Sequence, residues 1–189
     1  WEGNNALGNY CYMHVRHPGY TGISPVSHNK ANVVLVVDKA DLNGENVDKF
    51  FSRTVLKNRL RREVLGSAKP AEKVKVIDSL AYSVKNLQCG GLLLVGDATG
   101  FIDPFTGEGI YLSLRSSQLA SSVVESAFNS SNFSQGRLQV YNQIRKKEFK
   151  EKIILSKILQ RLIFRPSLCV YIVKMLANQK ELSSTLVGV

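Results

Sequence analysis

A chain of 189 residues, 44% hydrophobic and 21% charged, is long enough for one ordinary domain or for part of a larger protein, and its composition excludes a disordered polypeptide. Its three cysteines, Cys11, Cys89 and Cys169, are too few and too scattered for a disulfide framework or a zinc site, and they point to a reducing, cytoplasmic setting. The net charge of +10 is uneven: from Ser134 onward eleven Lys and Arg face Glu148, Glu151 and Glu181, a balance of +8, which leaves +2 for the rest. No run of about 18 apolar residues signals a transmembrane helix. The polar opening Trp1-Glu2-Gly3, without a Met, is expected of a piece of a longer chain.

In chain order, Tyr10 to Val15 alternates with the period of a strand, and His17-Pro18-Gly19-Tyr20 reads as a turn. Thr21 to Val26 resumes an extended run, Ser27-His28-Asn29-Lys30 turns again, and Ala31 to Val37 is strongly β-branched. Three strands with short connections predict an antiparallel meander. A long helix is expected over Val47 to Leu65, with Val47, Phe50, Phe51, Val55, Leu60 and Val64 on its apolar face and the arginines mainly elsewhere, ending at Gly66. Val74 to Leu80 and Ala81 to Val84 read as extended. Helices are predicted from Gly107 to about Phe128, with Ile110, Leu114, Leu119 and Val123 or Val124 inward, from Gln135 towards Arg165, from Ser167 to Ala177, and from Glu181 to Leu186.

The densest stretch runs from Leu92 to Ile110. Leu92-Leu93-Leu94-Val95 has the composition of a strand buried on both faces, followed by a turn with Gly, Asp and Pro and then a helix opening. Such a junction presents a side chain at a strand's carboxyl end and free N–H groups at a helix N-terminus, a frequent arrangement for a polar cofactor. Asp97 can accept hydrogen bonds from sugar-like hydroxyls, while Gly96 and Gly100 allow close backbone approach. Pro104 offers a flat apolar face, and Gly107, Gly109 and Ile110 begin the helix, where N–H groups suit an electron-rich ring edge.

Gly96-Asp97-Ala98-Thr99-Gly100-Phe101-Ile102-Asp103-Pro104-Phe105-Thr106-Gly107-Glu108-Gly109-Ile110 resembles the second flavin-contacting motif of FAD-dependent oxidoreductases of the para-hydroxybenzoate hydroxylase type. The wording Asp-Pro-Phe-Thr-Gly-Glu-Gly-Ile is most similar to the geranylgeranyl-reductase-like branch. Met13-His14-Val15 with Gly19 to Val26 and Asn32-Val33 resembles that branch's substrate-domain sheet, and Leu162 to Pro166 with Leu182 to Val187 its C-terminal helices. The resemblance implies FAD as cofactor, with Gly96, Asp97, Gly100, Pro104, Gly107, Glu108, Gly109 and Ile110 as its contacts. Asp97 would take the ribityl chain, the Pro104 loop would lie beside the isoalloxazine ring, and the N–H groups of Gly109 and Ile110 would face its pyrimidine edge. It further implies NAD(P)H as reductant and an apolar or aromatic substrate, transformed by hydride transfer or by oxygen insertion. The superfamily's Gly-x-Gly-x-x-Gly pyrophosphate unit is absent from the sequence, so the expectation is the C-terminal portion of such an enzyme.

The expected fold is α/β: an antiparallel substrate-domain sheet and helix over 1–85, part of a Rossmann-like FAD-binding domain over 86–133, and basic C-terminal helices over 134–189. No catalytic residue is assigned. His14 and His17 are candidate proton donors, although a lone His on a strand or in a turn is more often structural. Asp97, Asp103 and Glu108 lack the intervening oxygen ligands and glycine of a calcium loop, so no metal is expected. Glu108 reads as a first-turn acid favoured by the helix dipole. The basic tail has neither an aromatic stacking set nor finger spacing, which argues against nucleic acid. Its plain reading is a solvated helix face. The alternative function is a non-catalytic basic module, Arg145 to Arg165, docking on a membrane or a partner protein.

Overall fold

The computed structural model describes residues 1–3, 6–78, 82–84, 90–101 and 104–177. These form two compact units, Trp1–Val76 together with the chain from Arg161, and Ile77–Gln160. Among the described residues no helix is long and apolar enough to cross a membrane.

The first unit is built on the meander its alternating residues predict: β1 (Tyr12–Arg16), β2 (Gly19–Ser27) and β3 (Lys30–Val37), all antiparallel in the order β1-β2-β3. The register sets His14 opposite Thr21 and Thr21 opposite Leu35, so these three share one face with Tyr12, Ile23 and Val33. Gly19 begins β2 because a Cβ there would sit 2.0 Å from the Val36 carbonyl oxygen. The core joins Leu7, Ile23, Ala31, Val55 and Leu65, with Trp1, Tyr12, Val33, Phe51 and Val64 packed around it.

The helix expected over Val47 to Leu65 is two helices, α1 (Val47–Lys57) and α2 (Arg59–Leu65). Asn58 breaks the run: its backbone is extended (φ −87°, ψ 126°), and its Oδ1 accepts the Arg61 N–H at 3.3 Å as the N-cap of α2. The arginines after the break satisfy the carbonyls that α1 leaves without partners. Arg62 Nη1 donates to Leu56 O (2.5 Å) and Lys57 O (3.3 Å), and Arg61 Nη1 donates to Thr54 O (3.1 Å). The change of phase reverses the predicted apolar face at this point: Leu60 is 60% exposed, while Arg61 is 3% exposed. Gly66 ends α2 as expected, its N–H bonded to Arg62 O. α5 (Pro166–Ala177) begins at Pro166, in the first turn, where a missing N–H costs nothing.

In the second unit a two-residue antiparallel pair, β4 (Tyr82–Ser83) with β5 (Gly100–Phe101), is followed by α3 (Gly109–Asn129) and α4 (Gln135–Ile163). The remaining extended reading over Val74 to Asp78 joins no ladder, and 79–81 lie outside the described residues, as does the helix read from Glu181 to Leu186. Residues 92–95 are not the doubly buried strand that their composition predicts. They pair with no strand among the described residues, and Leu92 and Val95 are 44% and 37% exposed. Composition favours a pleated, covered environment, but a strand also needs a neighbour to receive its N–H and C=O groups. Leu93 instead packs with Leu119 against Ala120, Val123, Ala127, Leu138 and Tyr141 of α3 and α4. The inner face of α3 therefore consists of Ser116, Ala120, Val123 and Ala127, at helical spacing. Ile110 and Leu114, expected inward, are 77% and 70% exposed.

Candidate cofactor site

Gly96–Thr99 forms a single 3-10 turn that follows extended Val95 (φ −125°, ψ 160°). Gly96 has φ +54°, and a Cβ there would stand 2.8 Å from Ser113 Oγ and 3.3 Å from Ser113 Cβ, so the turn lies directly on α3. Its N–H donates to Ser116 Oγ at 2.8 Å, and that hydroxyl donates to Ser113 O at 3.0 Å. The Thr99 hydroxyl closes the turn by donating to Gly96 O at 2.7 Å. The Asp97 carbonyl accepts from the Gly100 N–H and from the Tyr82 hydroxyl at 2.9 Å. Its carboxylate has no such commitment: Asp97 is exposed, and no described residue bonds its side chain. It keeps its full acceptor capacity for a ligand.

A second 3-10 turn, Pro104–Thr106, leads into α3, with the Gly107 N–H donating to Pro104 O at 3.0 Å. Ile102 and Asp103 lie outside the described residues. Glu108 is the N-cap of α3, but its backbone is already helical (φ −82°, ψ −3°) and its carboxylate makes no capping bond. It accepts instead from Lys152 Nζ at 2.8 Å, and that ammonium also lies 4.8 Å from the centre of the Tyr111 ring. The hydrogen bond to Glu108 raises the Lys152 pKa, against a smaller opposing effect of burial. The N-terminus of α3 is therefore left uncapped by its own side chain, with first-turn N–H groups at Gly109 and Ile110 that have no carbonyl within the helix. The Phe101 ring lies 3.6 Å from where a Cβ on Gly109 would be, an ordinary contact distance. Exposed Ile110 contributes backbone here and not an apolar contact to α3's inner face.

Sequence reasoning missed what holds these pieces together. Tyr141, Arg145, Glu148 and Lys152 recur every three or four residues along α4 and so share one face. Arg145 Nη2 donates to the Thr99 hydroxyl, Glu148 accepts from Arg115 Nε at 2.7 Å, and Lys152 holds Glu108. The tail's basic residues are thus not all a solvated face, since Arg145 and Lys152 are committed to the turn and to the helix start. The Arg115 bond holds the Glu148 carboxyl below the usual range. Burial pulls the Arg145 guanidinium down and pushes the Tyr141 phenol up. Tyr141 is fully buried, and its hydroxyl lies near Ser116 without a hydrogen bond of ordinary geometry; Arg145 Nε is also buried without a partner. A polar position interrupting an apolar helical stripe at Arg145, one turn after Tyr141, was the available signal.

The two histidine candidates belong to the first unit. His14 has a buried Nδ1 without a partner, and burial, followed by the Arg61 charge, lowers its pKa. His17 is largely exposed, with Nε2 3.7 Å from Asp41. Among the described residues no three His, Cys, Asp or Glu come together as a metal site.

An unpartnered carboxylate on a glycine-led turn and an uncapped helix N-terminus, joined by 100–108, fit a ligand that presents hydroxyls followed by an electron-rich ring edge. The profile of the FAD binding domain family matches residues 4–152. The chain is 27% identical over 78% of its length to conditioned medium factor receptor 1 of Dictyostelium discoideum, covering 29% of that protein. It is 29% identical over 71% of its length to digeranylgeranylglycerophospholipid reductase of Thermoplasma acidophilum, covering 33% of it. It thus spans about a third of the length of the curated relatives it matches. The fold resembles that of CmlS, a flavin-dependent halogenase, with a TM-score of 0.66 and 22% identity over 78% of this chain and 28% of that one. With this match across most of its length, the chain belongs to the FAD binding domain family, in the FAD-dependent oxidoreductase superfamily.

Proposed function

We propose that the protein carrying this chain is an FAD-dependent reductase of carbon–carbon double bonds in an apolar, isoprenoid-type substrate, with NAD(P)H as the source of reducing equivalents. One observation carries the flavin part: the free Asp97 carboxylate stands on the same short segment as the uncapped N-terminus of α3. The reductase name of the Thermoplasma relative supports reduction over oxygen insertion, which the motif itself does not separate.

In this reading Asp97 accepts hydrogen bonds from the ribityl hydroxyls, and Gly96 and Gly100 keep the backbone clear of them. Pro104 and the following turn lie against one side of the ring. The N–H groups of Gly109 and Ile110 donate to its pyrimidine edge, and the α3 dipole favours negative charge there. Bound FAD supplies the hydride chemistry; the chain supplies binding, orientation and field. Glu108 is a positioning group, since its carboxylate is engaged by Lys152.

The test is Asp97→Ala in the full-length protein, purified with its yellow cofactor. Loss of hydrogen bonds to a charged acceptor should weaken FAD binding about 10- to 100-fold, read by equilibrium dialysis. Unchanged FAD affinity would remove the assignment. On reduction in air, a hydroxylated product in place of a saturated one would show oxygen insertion.

A further inference from the structure

The structure assigns Arg145 a place in the cofactor site: we propose that it is a positioning residue, a strut from α4 that fixes the Gly96–Thr99 turn through the Thr99 hydroxyl and so aims Asp97. This rests on the flavin reading above and adds to it a residue that lies 46 positions beyond Thr99 in sequence.

Three features single Arg145 out. Its guanidinium is part-buried, donates to Thr99 Oγ1, and has no carboxylate partner among the described residues. A cation without a counter-charge is costly to desolvate, so a purely structural helix contact at this position is better served by an apolar side chain. Its connection continues inward, because the hydroxyl it grips donates to Gly96 O. The Gly96 N–H in turn is fixed by Ser116 of α3. The Gly96 amide and carbonyl just before Asp97 are therefore tied to α3 and, through Thr99, to α4, while the Asp97 side chain is tied to neither. Turn geometry is over-determined where the ligand-facing carboxylate is left free, as preorganisation of a binding group requires. The buried Arg145 Nε and Tyr141 hydroxyl, without hydrogen-bond partners, show that the connection is not a saturated structural network.

The experiment uses the full-length protein and five variants: Arg145→Met, Arg145→Lys, Thr99→Val, Asp97→Ala and the double variant Arg145→Met/Thr99→Val. FAD affinity is measured by dialysis, and visible circular dichroism of the bound flavin reports its setting. Arg145→Met and Thr99→Val should each weaken FAD about tenfold and alter the flavin dichroism, because each removes one end of a charge-assisted bond. Arg145→Lys keeps a cationic donor on a long stem and should restore affinity to within about threefold of wild type. The double variant Arg145→Met/Thr99→Val should be no worse than either single one, as expected for two ends of one connection. Full affinity and dichroism in Arg145→Met, with loss of FAD in Asp97→Ala, would overturn the strut and leave the flavin reading standing. An additive double variant would also overturn it. Unchanged FAD binding in Asp97→Ala would remove both. If Arg145→Met does not fold, Thr99→Val and Arg145→Lys decide by the same measures.

Discussion

Replacing Gly96 by Ala tests the contact on which the site geometry depends. Two costs can be worked out separately. At φ +54° an L-residue is strained by about 1–2 kcal/mol. The new methyl would also stand 2.8 Å from Ser113 Oγ, 3.3 Å from Ser113 Cβ and 3.5 Å from Ser113 Cα. Rotating the Ser113 hydroxyl away leaves the tight 3.3 Å approach to Ser113 Cβ, which α3 fixes, while Cα at 3.5 Å is an ordinary contact; overpacking of this kind costs about 1–3 kcal/mol. Ala gains back up to about 1 kcal/mol by restricting the unfolded chain. The net expectation is a loss of about 1–5 kcal/mol at the turn. Thermal unfolding followed by flavin release should show a lower midpoint, and FAD should dissociate more readily at a temperature where the protein is folded. Ser113→Ala in the Gly96→Ala background removes the Oγ contact alone, so it should recover less than half of the loss. A Gly96→Ala protein with wild-type midpoint and FAD affinity would refute the close seating of the turn on α3.

Two further predictions concern the first unit. Asn58→Ala removes the N-cap of α2 and should lower stability by about 1 kcal/mol in chemical denaturation, whereas a continuous helix through position 58 would gain from Ala; stabilisation would therefore refute the break. His14 should make stability depend on pH. Burial, aided by the Arg61 charge, lowers its folded pKa below the 6.5 of a free imidazole, so the unfolded chain takes up a proton first. This contribution is whole above pH 6.5 and is lost as pH falls below it; His14→Gln should flatten that part of a melting-temperature profile, and an unaltered profile would refute the buried neutral imidazole.

The meander was legible because it depends on local signals: period-2 alternation, β-branched runs and turn residues between them, all of which agree. The helix break at Asn58 was not, because Phe51 and Val55 before it and Leu60 and Val64 after it each keep the four-residue spacing of a helix. What holds the break is the Asn58 cap together with the capture of α1's last carbonyls by Arg61 and Arg62, which a hydrophobic pattern does not register. The stretch 92–95 was misread in the opposite way: four apolar residues state a preference for cover, and no local signal says whether a neighbouring strand or a helix pair provides it. The inner face of α3 was misread at Ile110 and Leu114 because hydrophobicity alone favours large residues, whereas the residues that α3 buries are Ser116, Ala120, Val123 and Ala127. In the site, the glycines and Asp97 stood out because backbone strain and a free carboxylate leave local marks. Thr99, Ser116 and Lys152 left none, and Arg145 only the polar interruption of an apolar stripe on α4.

That asymmetry follows from how the site is held. A turn that must keep its carboxylate in solvent and a helix that must keep its first N–H groups free cannot be fixed by burial of those same groups, since a buried group needs its hydrogen bonds satisfied by protein. The restraint has to come from behind, through atoms that do not face the ligand: the Gly96 N–H and carbonyl, the Thr99 hydroxyl and the Glu108 carboxylate. The Gly96 N–H is held by α3, the Thr99 hydroxyl and the Glu108 carboxylate by α4, and the Gly96 carbonyl by Thr99; the α4 contacts reach across 46 and 44 positions of sequence. A ligand-facing motif of this type is therefore incomplete when considered as a contiguous string. Substitutions on one face of α4, remote from the Gly-Asp turn in sequence, are expected to act on the cofactor before they act on the fold, and the Arg145 and Thr99 variants separate these two effects.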